Sequence, residues 1–262
     1  MNAYTKIKLL ILPLTIILFV STGCNSYTTQ TTSGRDYLSK YPNPIGVEAS
    51  GINEEIEEIA DIEPQLNFPA RIGLAKLANG RISNLTSEEA VAWTKARDEL
   101  GPGFGEFVPV SGLIAESVYS QPKSRRSATG TQAILRKLRM GAARQHLDAV
   151  LVYEVFSRTK TTSLATAVSN WTLVGAYFIP SKEIETVGHA NALLLDVRNG
   201  YPYGTASTSM EKKNVVAYMG HRDRSRNLED RNQVATALKL IPNVKKMMTR
   251  LVTDLDAGQE SL

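Results

Sequence analysis

The side chains that could do chemistry are few and widely spaced. A single cysteine, Cys24, excludes an intramolecular disulfide and any metal site built from several thiolates. His146, His189 and His221 show no His-Glu-x-x-His spacing, so a metal site would need them to converge across the fold, and no metal ligand set is expected. There is no Gly-x-Ser-x-Gly elbow, and the small-residue clusters at Ser111-Gly112 and at 127–131 lack a nearby base. The glycines of 101–105 (GPGFG) follow a helical pattern instead of leading from a strand into a helix, which makes a turn and not a nucleotide loop. The carboxylates Glu88-Glu89 and Asp254/Asp256 fall in helical segments beside other charges, where solvation accounts for them. No catalytic residue and no cofactor are expected, although a hydrolase with an unidentified site stays open as an alternative.

Cys24 is the informative residue, because of what precedes it. Lys6 and Lys8 are followed by an apolar run from Leu9 to Val20, and no charge falls between Lys8 and Gly23. That run is about a dozen residues, short of the ~20 a helix needs to cross a bilayer, and it contains Pro13. Residues 1–23 therefore read as a cleaved export signal. Thr22-Gly23-Cys24 resembles the lipobox of bacterial lipoproteins, with Ser21 where that group carries an aliphatic residue. The resemblance implies cleavage between Gly23 and Cys24 and a covalent lipid on Cys24, which becomes the anchor to a membrane. It also implies, from Asn25 in place of an Asp, the periplasmic face of the outer membrane in a Gram-negative host. An ordinary secretory signal with a chance cysteine, or an uncleaved anchor, are the alternatives.

Charge says less than the pI of 9.1 implies. The net +4 includes Lys6 and Lys8; without residues 1–23 it is 28 basic minus 26 acidic, or +2. Acids gather from Glu48 to Glu63, and bases from Lys123 to Arg144. Arg222, Arg224 and Arg226 form a candidate contact for anionic headgroups or cell-wall polymers, with a solvated basic loop as the plainer reading. No aromatic residues interleave with them, so nucleic acid is not an expected partner.

These residues are positioned by a chain that divides into five stretches. After the signal peptide, 24–50 is rich in Ser, Thr, Gly and Pro and reads as a flexible tether spanning roughly 25 Å. Residues 51–66 place Ile52, Ile56 and Ile59 among acids, an acidic amphipathic helix. A single α/β domain is expected over 67–256, with 257–262 as a tail. Within it, 70–78 reads as a buried strand, and Thr86/Glu89 open a helix with capping-box spacing. Pro109 marks an edge strand. Ile134, Leu135, Leu138 and Ala142 form one face of a helix that runs directly into a strand at 148–156. Segment 161–180 is ambiguous between helix and strand. Asn199-Gly200 predicts the turn of a long β-hairpin. The last helix carries a buried stripe, Val244, Met247, Met248, Leu251, Val252 and Leu255, with a break expected before Pro242. The fold class is thus α/β, with a small mixed sheet, that hairpin and packed amphipathic helices.

The helix entering Leu147-Asp148-Ala149-Val150-Leu151 and the later Leu195-Asp196-Val197-Arg198-Asn199-Gly200 resemble motifs of the lipoproteins grouped around the curli-secretion protein CsgG and the penicillin-binding-protein activator LpoB. The opening 70–77 also resembles their first core strand. The resemblance implies a small α/β sandwich that acts by contact with an envelope protein in assembly, secretion or cell-wall synthesis. It brings no catalytic residue, and it leaves open a homo-oligomeric pore or secretion component built through 161–180.

Overall fold

The computed structural model describes residues 25–40, 51–78, 80–118, 130–163, 180–217 and 221–259. In chain order the elements are β1 (Asn25–Thr29), α1 (Gly34–Ser39), α2 (Gly51–Ala60), β2 (Ala70–Ala78), β3 (Arg81–Ser83), α3 (Ser87–Leu100), β4 (Gly105–Pro109), α4 (Gly112–Val118), α5 (Thr131–Arg144), β5 (Ala149–Ser163), β6 (Pro180–Asp196), β7 (Pro202–Ala217) and α6 (His221–Gln259). Seven strands form one mixed sheet in the order β1-β7-β6-β5-β2-β3. β4 pairs with the first half of β2, on the same edge that β3 takes further along. β4, β2 and β5 run parallel, as helical crossovers require, while β5, β6, β7 and β1 alternate in direction.

The period-two alternation of β5 sorts the core onto two faces. Leu151, Tyr153 and Val155 look toward α6 and α3, where Leu240, Val244, Met247, Met248 and Leu251 meet Trp93 and Phe104 in the larger core. Val150 and Val152 look the other way, onto Leu138, Ala142 and Leu147 of and beside α5. A three-layer α/β/α arrangement results, each fully buried Leu or Met contributing about 1.5–3 kcal/mol of transfer free energy. α3 opens with the anticipated capping box: Thr86 Oγ1 accepts from Glu89 N at 3.2 Å, and Glu89 Oε2 accepts from Thr86 N at 2.8 Å.

Two expectations are corrected. The stretch read as a flexible tether holds secondary structure in 25–39: Asn25–Thr29 pair in register with Thr208–Gly204, and Ser33 caps α1. Its strand was invisible to hydropathy because it is held by backbone pairing and by polar cross-strand contacts, Ser26 with Ser207 at 2.7 Å and Thr28 with Thr205 at 2.9 Å. The break before Pro242 is also absent, since α6 runs unbroken through it. Pro242 is exposed, while Ile241, Asn243 and Val244 on either side are buried, so packing on the sheet holds both halves in line. Of segment 161–180, residues 161–163 extend β5 and Pro180 opens β6; 164–179 lie outside the described residues. The hairpin is longer than its apolar pattern indicated, pairing from Leu195/Pro202 out to Pro180/Ala217.

Candidate functional site

Gly23 and Cys24 lie outside the described residues, but the neighbour of Cys24 does not. Asn25 is already in the sheet, opposite Thr208, whose hydroxyl donates to Asn25 Oδ1 at 2.6 Å. The Arg run lies in the first turns of α6, not in a loop. Helical spacing relates Arg222 to Arg226 and sets Arg224 apart from both. The side chains of Arg222 and Arg224 are outside the described set, and Arg226 is exposed. α6 crosses the sheet obliquely, from β5 to β7: Ser157 donates to Glu229 O, Lys239 to Ser209 O, and Asn243 to Ser207 O.

Among the described histidines, His189 stacks on Phe156 with ring centroids 5.3 Å apart, and exposed His146 holds a positive φ of 56° after α5. No group of three or more His, Cys, Asp or Glu able to hold a metal occurs among the described residues. No helix among them is long and apolar enough to cross a membrane.

The densest polar constellation sits at the hairpin turn, and it ties the N-terminal segment to the sheet. Asp196 ends β6; its Oδ1 accepts from Arg198 N at 2.7 Å and Asn199 N at 3.4 Å, shaping a turn in which Gly200 takes a φ of 82°. Asp196 Oδ2 accepts from Tyr203 Oη at 2.9 Å, and the same phenol oxygen accepts from Gln65 N at 2.8 Å and Leu66 N at 2.6 Å. Around this core, Tyr201 Oη donates to Thr32 O, Asn199 Nδ2 to Glu63 O, and Ser33 Oγ to Glu63 Oε1. Burial, with the Asp196 carboxylate beside it, pushes the Tyr203 phenol above the ordinary tyrosine range; burial likewise raises Tyr201. The chemistry here is positional: neutral phenols and one carboxylate hold three stretches of backbone.

A second buried cluster lies between α3 and β5. Glu89 is fully buried and accepts from Lys76 Nζ at 2.8 Å through Oε2, while its Oε1, Trp93 Nε1 and Tyr153 Oη have no hydrogen-bond partner among the described residues. Tyr153 is pushed up by burial and then by the Glu89 charge. Trp93 and Tyr153 belong to the larger core, and the group reads as part of it.

Beside the turn, the segment after β1, α1 and α2 wall a groove of about 950 Å³ with Tyr37, Ile56, Ile59, Ile62, Tyr201 and Pro202. Ile56 is 53% exposed and Ile59 63%. Neither the groove nor the turn constellation was anticipated from sequence, although Asp196 preceding Asn199-Gly200 carried the signal of a side-chain-capped turn.

Fold and site together define a single-domain α/β protein with a mixed seven-stranded sheet, whose described polar clusters hold backbone. No family model matches the chain, and no curated protein matches it either. Solved structures to which it is similar include the PelC dodecamer from Paraburkholderia phytofirmans, 12% identical over 87% of this chain and 96% of that one, with a TM-score of 0.32. Others are lipoprotein GNA1162 from Neisseria meningitidis, 20% identical over 64% and 99% with a TM-score of 0.30, and lipoprotein B from Nitrosomonas europaea, 11% identical over 76% and 96% with a TM-score of 0.28. Identities and TM-scores this low assign neither family nor function.

Proposed function

We propose that this chain is a lipid-anchored protein of the bacterial cell envelope, cleaved after Gly23, acylated on Cys24 and acting as a non-catalytic binding or accessory module. The observation that carries the reading is the leader itself: a charged start, a short apolar run and Gly23-Cys24 directly before the first strand. The strand and turn motifs that resemble the CsgG and LpoB group support an accessory role in envelope assembly, secretion or cell-wall synthesis, and Asn25 supports placement on the periplasmic face of an outer membrane.

The test is metabolic palmitate labelling of wild type and Cys24→Ala with membrane fractionation. Loss of label and release from the membrane are expected; undiminished label with unchanged fractionation refutes the anchor.

A further inference from the structure

We infer that Glu89, Trp93 and Tyr153 together form a binding site for one water molecule, held between α3 and β5 and hydrogen-bonded to all three side chains. The site stands apart from the envelope reading above, because it concerns how the larger core closes around a buried charge.

Helix and strand periodicity bring the three groups together. Glu89 and Trp93 are four residues apart on α3 and so share one face of it. Tyr153 is the register partner of Lys76 where β5 pairs with β2, and Lys76 Nζ donates to Glu89 Oε2 at 2.8 Å, which draws the carboxylate over that strand pair. The Trp93 and Tyr153 rings stand 5.7 Å apart at 51°. Burial raises the Tyr153 phenol, the Glu89 charge adds to the rise and the Trp93 N–H works against it, so the phenol has both groups as neighbours. All three side chains are buried, none more than 2% exposed.

Donors and acceptors decide what the site takes. Glu89 Oε2 is engaged twice, accepting from Lys76 Nζ and from Thr86 N, whereas Oε1, Trp93 Nε1 and Tyr153 Oη have no partner among the described residues. An indole nitrogen only donates, a carboxylate oxygen only accepts, and a phenol does both. A direct bond from the phenol to the carboxylate would still leave the indole N–H unpaired. Water matches the whole set: it accepts from Trp93 Nε1 and Tyr153 Oη and donates to Glu89 Oε1, three bonds being the usual number for a buried water. A cation meets two N–H and O–H donors beside the Lys76 ammonium, an anion meets the carboxylate, and an apolar guest leaves all three groups unpaired. With water bound, both carboxylate oxygens are bonded, and α3 is tied to β5 through the water as it is to β2 through Lys76.

The experiment is a crystal structure of the full chain at a resolution that shows ordered solvent. The expected result is one solvent peak within hydrogen-bond distance, about 2.7–3.2 Å, of Trp93 Nε1, Tyr153 Oη and Glu89 Oε1 at once. No peak there, a peak on fewer than three of these atoms, or a direct bond between the side chains overturns the proposal. Solution NMR gives a second readout, magnetisation transfer from water to the Trp93 indole proton, assigned by its loss in Trp93→Phe. A bound water gives NOE and ROE peaks of opposite sign; peaks of the same sign come from proton exchange alone and count against the site. Tyr153→Phe keeps the ring and removes one of the three partners, so the cross-peak should persist but weaken roughly five-fold, the effect of one neutral hydrogen bond on the water's residence. An unchanged cross-peak shows that the phenol holds no water, and complete loss shows that the phenol proton carried the signal; either overturns the proposal.

Discussion

Tyr203→Phe is the sharpest test of how the N-terminal segment is held. The substitution removes one oxygen and leaves the ring, which is fully buried, in place. That oxygen makes three hydrogen bonds, one to the buried Asp196 carboxylate and two from the amides of Gln65 and Leu66. A bond to a charged acceptor contributes about 1.5–3 kcal/mol, and a buried amide left without a partner costs about 1–3 kcal/mol. Leu66 is only 3% exposed, so its amide pays the full penalty, whereas water can reach Gln65. The expected loss is about 3–5 kcal/mol, a large part of the ~5–15 kcal/mol that holds a domain together. At roughly 2–4 °C per kcal/mol for a chain of this size, Tm should drop by about 10 °C. Hydrogen exchange should quicken at residues 63–66 while β5 stays protected. A drop under about 3 °C with unchanged exchange at Gln65 and Leu66 would refute the claim that this phenol is the tie between turn and N-terminal segment.

Other outcomes follow from the same structure. Burial raises the phenols of Tyr153, Tyr201 and Tyr203, so the folded chain keeps protons that the unfolded chain releases near pH 10. Their contribution is fully present below about pH 10 and is lost as pH rises above it; Tm measured against pH should fall on the alkaline side, less steeply in Tyr203→Phe. Lys76→Met strands the Glu89 carboxylate in the core and should cost about 3 kcal/mol by denaturant midpoint, whereas changing both residues to Met should recover most of it; a single-variant cost under about 1 kcal/mol would show the pair to be incidental. In Gly204→Ala the new methyl would meet Thr28 O and stand 2.9 Å from Met247 Sδ, so β1 should lift from the edge, with faster exchange at 25–29 and about 1–3 kcal/mol lost.

What the sequence made legible is what hydrophobic periodicity encodes. The strand of Val150 to Val155, the capping box of Thr86 and Glu89, and the methionine pair of the last helix all stand where spacing put them, Met247 and Met248 fully buried. β1 escaped because Asn-Ser-Tyr-Thr-Thr has no buried alternation to detect; its pairing is a property of the β7 edge, not of its own residues. Pro242 misled because helix breaking is a local rule, and here buried neighbours on both sides override it. The groove could not be read from sequence since Tyr37, Ile56 and Tyr201 are brought together only by the turn, across 164 positions of chain.

The edge strand has a mechanical consequence. In the anchored protein proposed above, Cys24 is one peptide step, about 3.8 Å, from a residue locked in the sheet, so the domain sits on the bilayer with no slack. Any pull between membrane and partner then loads the five-residue β1–β7 pairing directly. Unzipping Asn25 through Thr32 would release eight residues, roughly 25 Å of extended chain. Reach toward a distant partner is therefore kept folded inside the sheet, and it is gained only by breaking β1 away under tension.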